Sequence, residues 1–378
     1  MRPITNPICP RTVRTADPTT MIGKHVSELD TPALCIDLDA MGANIASMSQ
    51  FITSRGKQWR PHVKCHRSPI IAAKQIEAGA MGVTCARVSE AEVMATAGIR
   101  DILIAHMLVG QSKLKRVAKL CEVADPIVTI DHYAQAEALS KVCLESNVQS
   151  RVIIEVDLGM DRVGIRPGAE AAKLRKGIER FKGIKPVGIM GYEGHLLRIV
   201  DHNEKRDRIN DAMVVLKHTR DMLLNSGFTC DIVTAGGTGS YQFTSDCDGI
   251  TELQAGGGIF GDPFYSQQCG VEGLMPALSV LTAVVSRPSL GRGIVDAGRK
   301  AIAADPTMPI LRDYPESEVT QLSSEHGRLE LLGDARDLQI GDRTHLTVGY
   351  ADFTTMLHHQ FVGLRNDYVE EILPVSRV

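Results

Sequence analysis

From Pro32 onward the chain alternates short apolar runs with longer stretches in which apolar residues recur every three or four positions. The runs are "PALCIDLD", "KQWRPHVK", "MGVTCA", "DILIAHM", "PIVTI", "RVIIEVDL", "KPVGIMGY", "CDIVTAGG" and "ITELQAGG". Between them lie "SPIIAAKQIEAG", "SEAEVMATAGI", "SKLKRVAKLCEVA", "YAQAEALSKVCLES" and "DRINDAMVVLKHTRDMLLNSG". These have apolar residues at i, i+3, i+4 and i+7, and several begin with Ser or Asp and end near Gly, which predicts amphipathic helices. Alternation of strand and helix predicts parallel βαβ units.

Nine strands are one more than a (β/α)8 barrel holds. If "PALCIDLD" joins another sheet, the barrel opens with "KQWRPHVK", closes with "ITELQAGG" and covers roughly residues 40–265. That is near the usual size of this fold. An open doubly wound sheet is the competing architecture, but no GxGxxG follows the first strand. After about Ser266 helical periodicity weakens, and segments such as "ALSVLTAVVSRPS", "GRGIVDAG", "RTHLTVGYAD" and "HHQFVGLRNDYVEEILPV" alternate or run apolar between turns. The expected fold class is α/β: a TIM-type (β/α)8 barrel (residues 40–265) plus a C-terminal β-domain (266–378). Residues 1–39 supply an arm and one strand of the β-domain.

Composition narrows the function classes. The 378 residues exceed what one compact core usually takes. A net charge of −3 without a basic stripe argues against a nucleic-acid partner. Nine cysteines, an odd number without a CxxC pair, argue against a disulfide framework and for reduced thiols in a cytoplasmic protein. No apolar run approaches the ~18–20 residues of a membrane span. The opening "MRPITNPICPRTVRTADPTT" has three prolines before Ala16 and no apolar core, so it reads as an irregular arm rather than a signal or transit peptide.

Catalytic groups of a barrel gather at the C-terminal ends of its strands. Lys64 ends the first strand, and Arg162, in "DLGMDR", follows the fifth. Tyr192 and His195, in "YEGH", follow the sixth. "GGTGS" (Gly236 to Ser240) follows the seventh and "GGG" (Gly256 to Gly258) the eighth. Glycine lets backbone N–H groups approach an anion, and the loops after strands seven and eight are the usual phosphate site of a barrel. Thr238 and Ser240 add donors. One glycine cluster alone would read as a tight turn, whereas two after these strands favour phosphate.

Lys64 lies two residues from both His62 and His66, and on a continuous strand all three side chains point one way. Lysine titrates near 10.4, and a desolvated site with neighbouring cations lowers that value and frees a nucleophilic amine. The ordinary alternative is a solvated charge. A phosphate cradle facing a barrel-end lysine suggests pyridoxal 5′-phosphate (PLP). The rival is a phosphorylated sugar cleaved through an aldolase lysine. Arg162 either bonds the phenolic oxygen of such a cofactor or pairs with Asp157 or Asp161. Tyr192 either packs on the cofactor ring or is a rim aromatic. His195 is either a general base or structural.

The segments "RPHVKCHRSPIIA", "GVTCARVSEAEVMATAGIRDILI", "EVDLGMDRVGI", "GYEGH", "TAGGTGS", "ELQAGGGIF", "VDAGRK" and "SSEHG" together resemble the D-threonine aldolase and D-serine dehydratase family. These are PLP enzymes of the alanine racemase fold. The resemblance runs from about Thr31 to the C-terminus. It implies that Lys64 is the Schiff-base lysine, that Arg162 contacts the cofactor oxygen and that Tyr192 lies near the pyridine ring. It also implies that Thr238, Gly239, Gly257 and Gly258 hold the phosphate, and that the enzyme is a homodimer. Members commonly carry Pro-x-His-x-Cys or Pro-x-His-x-Asp near the C-terminus, binding a divalent metal that holds the β-hydroxyl. Here "VGYADFTTMLH" places Asp352 at the acidic ligand and Tyr350 at the histidine. One reading keeps a Mg²⁺, Mn²⁺ or Zn²⁺ ion at Asp352; the other loses it and makes Tyr350 an acid/base.

The implied activity is lysis of a small-molecule 3-hydroxy-D-amino acid by retro-aldol cleavage to glycine and an aldehyde, with His195 or a group bound at Asp352 as base. Alternatives are elimination from D-serine or 3-hydroxyaspartate, racemisation with Tyr350 as second base, and a non-catalytic PLP carrier.

Overall fold

The strands of the chain divide between two sheets. The computed structural model describes residues 18–377, so most of the expected N-terminal arm lies outside the described residues. The first strand, β1 (Ala33–Asp37), leads through α1 (Leu38–Thr53) into eight parallel strands. These are β2 (Gln58–Trp59), β3 (Val83–Cys85), β4 (Asp101–Ile104), β5 (Asp125–Ile130), β6 (Ser150–Glu155), β7 (Ile184–Met190), β8 (Ile232–Ala235) and β9 (Glu252–Leu253). The connections carry α2 (Pro69–Glu77), α3 (Val88–Thr96), α4 (Gln111–Leu120), α5 (Tyr133–Glu145), α6 (Ala169–Ile178), α7 (His202–Asn225) and the single turn α8 (Tyr241–Thr244).

The order β2-β9-β8-β7-β6-β5-β4-β3 follows the chain around a ring. An isolated parallel bridge between His62 and Thr84 joins its ends, helped by N–H bonds of 2.9 Å from Met81 and Thr84 to the carbonyls of Trp59 and Pro61. The sheet is therefore a barrel and not an open doubly wound sheet. Leu103, Ile127, Ile153, Val187 and Met190 form one buried cluster inside the barrel. Their neighbours Ile102, Ile104, Val128, Val152 and Ile154 belong to the larger core outside it. Both faces are buried, which is why the strands read as apolar runs instead of alternating.

At the N-terminal ends of the strands an ion network replaces apolar packing. The Arg60 guanidinium, with no exposed surface, donates to Glu252 (2.9 and 3.1 Å) and Asp101 (2.9 and 3.2 Å). Arg151 donates to the same Asp101 at 2.6 Å.

The second sheet contains β10 (Leu278–Ser289), β11 (Arg292–Val295), β12 (Ile310–Leu311), β13 (Glu318–Leu322), β14 (Gly327–Glu330) and β15 (Arg343–Thr347). β10 pairs with both β11 and β15, closing a six-stranded antiparallel barrel in the order β10-β11-β14-β13-β12-β15. β1 pairs antiparallel with β10 and parallel with β16 (Gln360–Arg365), and β17 (Tyr368–Pro374) completes the edge. After β15 the chain turns into the short α9 (Ala351–Thr355), which is clamped onto the mouth of the parallel barrel. The Thr355 hydroxyl donates to the Cys65 carbonyl (2.8 Å), and the Ala351 N–H donates to the Asp262 carboxylate (2.8 Å). The eight described cysteines are free, and among the described residues no helix is long and apolar enough to cross a membrane.

Candidate active site

The site begins where β2 stops. Pro61 has no N–H to continue a ladder. The chain passes into a 3-10 turn, Val63–Cys65, capped by the His62 ring, whose Nδ1 accepts the Lys64 N–H at 3.3 Å. Lys64 is thus on a turn rather than a strand, and the shared face expected for His62, Lys64 and His66 does not form. His66 instead accepts the Ser68 N–H (3.0 Å) and meets Gln75 (3.2 Å) in the core. Burial pushes His66 down to about 4, and burial with Lys64 nearby pushes His62 well down, so both rings are neutral near pH 7.

The Lys64 amine faces a carboxylate. Its side chain is 41% exposed at the barrel mouth, and Nζ lies 3.1 Å from Asp352 Oδ2. The same oxygen accepts the Tyr350 hydroxyl at 3.0 Å. Burial lowers the lysine, but Asp352, Tyr350 and Tyr192 outweigh it, so its pKa is raised. The lowered pKa expected from the sequence is therefore corrected: the supposed neighbouring cations are neutral, and the decisive neighbour is an anion. Burial and Asp352 hold Tyr350 upward as a neutral phenol. Its ring meets Phe264 (5.0 Å), Phe353 (5.2 Å) and Tyr265 (6.0 Å) edge-on, so packing sets where the hydroxyl sits.

The loops after β8 and β9 are joined. The Gly258 N–H donates to the Thr238 hydroxyl oxygen at 3.0 Å. Ser240 donates its hydroxyl to Glu193 Oε1 (2.6 Å), as does Thr244 (2.7 Å), and Ser240 also accepts the Gly237 N–H (3.1 Å). Ser240 and Gly258, expected as phosphate donors, thus have those donors committed within the chain. Among the described residues the N–H groups of Thr238, Gly239 and Gly257 have no acceptor, and the Thr238 hydroxyl can still donate. Side chains are excluded here by close approach. A Cβ on Gly237 would lie 3.0 Å from the Tyr192 ring, and one on Gly257 would lie 3.0 Å from the Tyr265 ring and hydroxyl.

Arg162 pairs with Glu155 (3.7 Å) rather than with Asp157 or Asp161, and its guanidinium lies 5.6 Å from the Tyr192 ring centre. Asp157 instead caps its own loop, accepting the N–H groups of Gly159 and Met160 at 3.0 Å each. Burial raises Glu155 to about 7 against the pull of Arg162. Burial also raises Tyr192 to about 12. His195 is exposed beside Gly159 and makes no hydrogen bond or ion pair among the described residues.

Three buried residues escaped the sequence reading. Glu193 anchors the Gly236–Ser240 loop, although it lies within "YEGH". Tyr265 covers Gly257, and Asp262 fixes α9. The last two lie just before the expected 265/266 boundary, where neither periodicity nor glycine marks them.

The comparisons bear on this geometry. Residues 36–263 match the family described as alanine racemase, N-terminal domain, and residues 277–364 match a putative serine dehydratase domain. A D-threonine aldolase from Arthrobacter sp. is 32% identical over 356 residues, 94% of each chain. The chain belongs to the D-threonine aldolase and D-serine dehydratase family. A crystal structure of D-threonine aldolase from Filomicrobium marinum superposes with a TM-score of 0.90 at 34% identity, covering 94% of this chain and 97% of that one. A cysteine-to-alanine variant of D-threo-3-hydroxyaspartate dehydratase in its metal-free form superposes with a TM-score of 0.83 at 26% identity, covering 93% and 99%.

The family's cofactor is PLP, and the residues at the mouth fit it. An amine stands ready for its carbonyl, and unpartnered N–H groups with the Thr238 hydroxyl stand ready for its phosphate. The donor set at Asp352 does not fit a metal in the same way. One carboxylate oxygen already carries an ammonium and a phenol, and among the described residues no group of three or more His, Cys, Asp or Glu side chains is placed to share an ion.

Proposed function

We propose that this chain is a PLP-dependent lyase that cleaves a 3-hydroxy-D-amino acid to glycine and an aldehyde. The observation that carries the reading is the Lys64 amine at the barrel mouth, opposite unsatisfied backbone donors and beside Tyr350 and Asp352. Bound PLP supplies an electron sink for the pair left at the substrate's Cα when a bond there breaks.

Each residue then has a task. Lys64 would hold the cofactor through its amine at the barrel mouth. The Thr238 hydroxyl and the N–H groups of Gly239 and Gly257 bind the phosphate, which needs no counter-charge beyond oriented donors. Arg162 holds the phenolic oxygen, and Tyr192 packs beside the ring, allowed close by Gly237. His195, exposed and unpaired among the described residues, is the candidate to carry away the proton that the hydroxyl gives up as the Cα–Cβ bond opens.

The quaternary arrangement belongs to the same proposal. Phe353 and Met356 are exposed on the α9 segment beside Asp352, and a second copy of the chain over the mouth would cover them. Sedimentation at graded concentrations tests the homodimer. The reduced, unpaired cysteines support a cytoplasmic location.

The activity is tested by incubating the PLP-loaded protein with D-threonine, D-serine and D-threo-3-hydroxyaspartate. Glycine plus an aldehyde supports the proposal. A keto acid plus ammonia moves the enzyme to the dehydratases, and an L-isomer moves it to the racemases. Lys64→Ala should lose the visible absorbance of lysine-bound cofactor; an unchanged spectrum would remove Lys64 from its role.

A further inference from the structure

We infer that this chain holds its substrate's 3-hydroxyl with the Tyr350–Asp352 pair and keeps no resident divalent metal there. The inference rests on the lyase reading above and names which of the chain's own groups meet the substrate oxygen.

The first argument is the donor set. A metal at Asp352 needs partners beyond one carboxylate, since a lone carboxylate completed by water holds Mg²⁺ weakly. Position 350 offers a phenol in place of an imidazole, and that phenol donates its hydrogen to Asp352 at 3.0 Å. His358 lies near in sequence, but its Nε2 is 2.6 Å from the Ala301 carbonyl, so that nitrogen is spent as a donor. Asp262 uses Oδ2 on the Ala351 N–H and keeps only Oδ1 unspent. Of these three groups only Asp262 keeps a carboxylate oxygen free, and among the described residues no set of three or more His, Cys, Asp or Glu side chains is placed to share an ion.

The second argument is charge. Lys64 Nζ stands 3.1 Å from the Asp352 oxygen. A divalent ion on that oxygen would sit against an ammonium, and like charges at such range repel strongly in a part-buried site. In the cofactor-free protein the lysine supplies the positive charge that the carboxylate needs.

The third argument is what stays unspent. Asp352 Oδ1 is buried without a hydrogen-bond partner, while the Tyr350 hydroxyl donates to Oδ2 and is reached by the Tyr265 side chain. A buried acceptor left without a donor costs roughly 1–3 kcal/mol. An alcohol's single hydrogen meets Oδ1, and its oxygen accepts the Tyr350 hydrogen when the phenol turns from Oδ2. Tyr350 is held by the edges of Phe264, Tyr265 and Phe353, so its hydroxyl is pre-positioned rather than recruited. Tyr350 and Asp352 are in this sense the residues that select a 3-hydroxy substrate over its deoxy counterpart.

The test uses the full-length PLP-loaded protein after EDTA treatment and gel filtration. Elemental analysis should find far less than one equivalent of divalent metal, and titration with MnCl2 alone should give no saturable heat. Still in EDTA, spectroscopic titration should find D-threonine bound more tightly than D-2-aminobutyrate, which lacks only the hydroxyl. Tyr350→Phe keeps the ring and its packing and should cut that preference by about tenfold, the worth of one hydrogen bond in a part-buried site, while the absorbance of lysine-bound cofactor is unchanged. Stoichiometric Mn²⁺ binding by the wild type would overturn the inference. So would a preference that vanishes in EDTA and returns with Mn²⁺, or one that survives Tyr350→Phe. Should Tyr350→Phe fail to fold, metal content and calorimetry of the wild type still decide. Should the wild type bind these substrates and release no product, the lyase reading fails while the metal and binding measurements stand.

Discussion

Lys64 and Asp352 come from opposite ends of the chain and meet at 3.1 Å. The lysine stands on the turn after β2 of the parallel barrel, and the carboxylate stands on α9, after β15 of the antiparallel sheet. Their contact links the two sheets at the proposed cofactor site, and it holds up the pKa of the lysine proposed to anchor the cofactor.

Asp352 holds the Lys64 pKa up, so in the cofactor-free protein the neutral amine is the minor form. Asp352→Asn removes the anion and lets burial dominate, which lowers the lysine. Stopped-flow absorbance should therefore record faster PLP capture by Asp352→Asn than by wild type near pH 7.5. Equal rates would mean that the contact does not govern the amine.

Glu193 is buried and accepts two hydroxyls that fix the Gly236–Ser240 loop. Glu193→Gln keeps the shape but turns one oxygen into a donor beside the Gly236 N–H. The loop then carries donor against donor, at a cost of about 1–3 kcal/mol. PLP affinity, read by absorbance titration, should fall by roughly tenfold or more. A wild-type affinity would make the Glu193 contacts irrelevant to phosphate binding.

Glu155 gives a pH signature. Its folded pKa, about 7, lies above the unfolded value of about 4.3, so the fold favours the protonated acid. This contribution is fully present below the unfolded value and is lost as pH rises through 7. The difference corresponds to about 3 kcal/mol at full ionisation. Glu155→Gln should flatten the fall in melting temperature of the cofactor-free protein between pH 4.5 and 7.5. Parallel pH curves for the two proteins would refute the assignment.

Arg60 closes the opposite end of the barrel, between Glu252 and Asp101. Arg60→Leu leaves Glu252 buried without its cation, at a cost of about 3–5 kcal/mol. Thermal melts should drop clearly while the site chemistry at the other end of the strands survives in whatever fraction folds. An unchanged melt would mean that solvent reaches Glu252.

Much of the architecture was legible because strand and helix periods are local. The nine apolar runs each overlap one of β1 to β9, and "PALCIDLD" could be set apart from the barrel by counting alone. Glycine clusters after β8 and β9, and a lysine after β2, were visible because a barrel delivers strand ends to one mouth. Strand length was not so readable: Pro61 ends β2 early, which sends Lys64 onto a turn and breaks the shared strand face of His62, Lys64 and His66.

The pattern of residues by itself determined the barrel, the second sheet, the glycine-rich loops after β8 and β9 and the lysine at the mouth. Only the tertiary structure decided the lysine's charge, the partner of Arg162, the commitment of Ser240 to Glu193 and the place of Tyr265 over Gly257. The reason is physical. Secondary structure follows from neighbours a few residues away, whereas a pKa and a hydrogen bond follow from whatever charge and donor the fold brings within a few ångströms. At Lys64 that charge came from Asp352, near the far end of the chain.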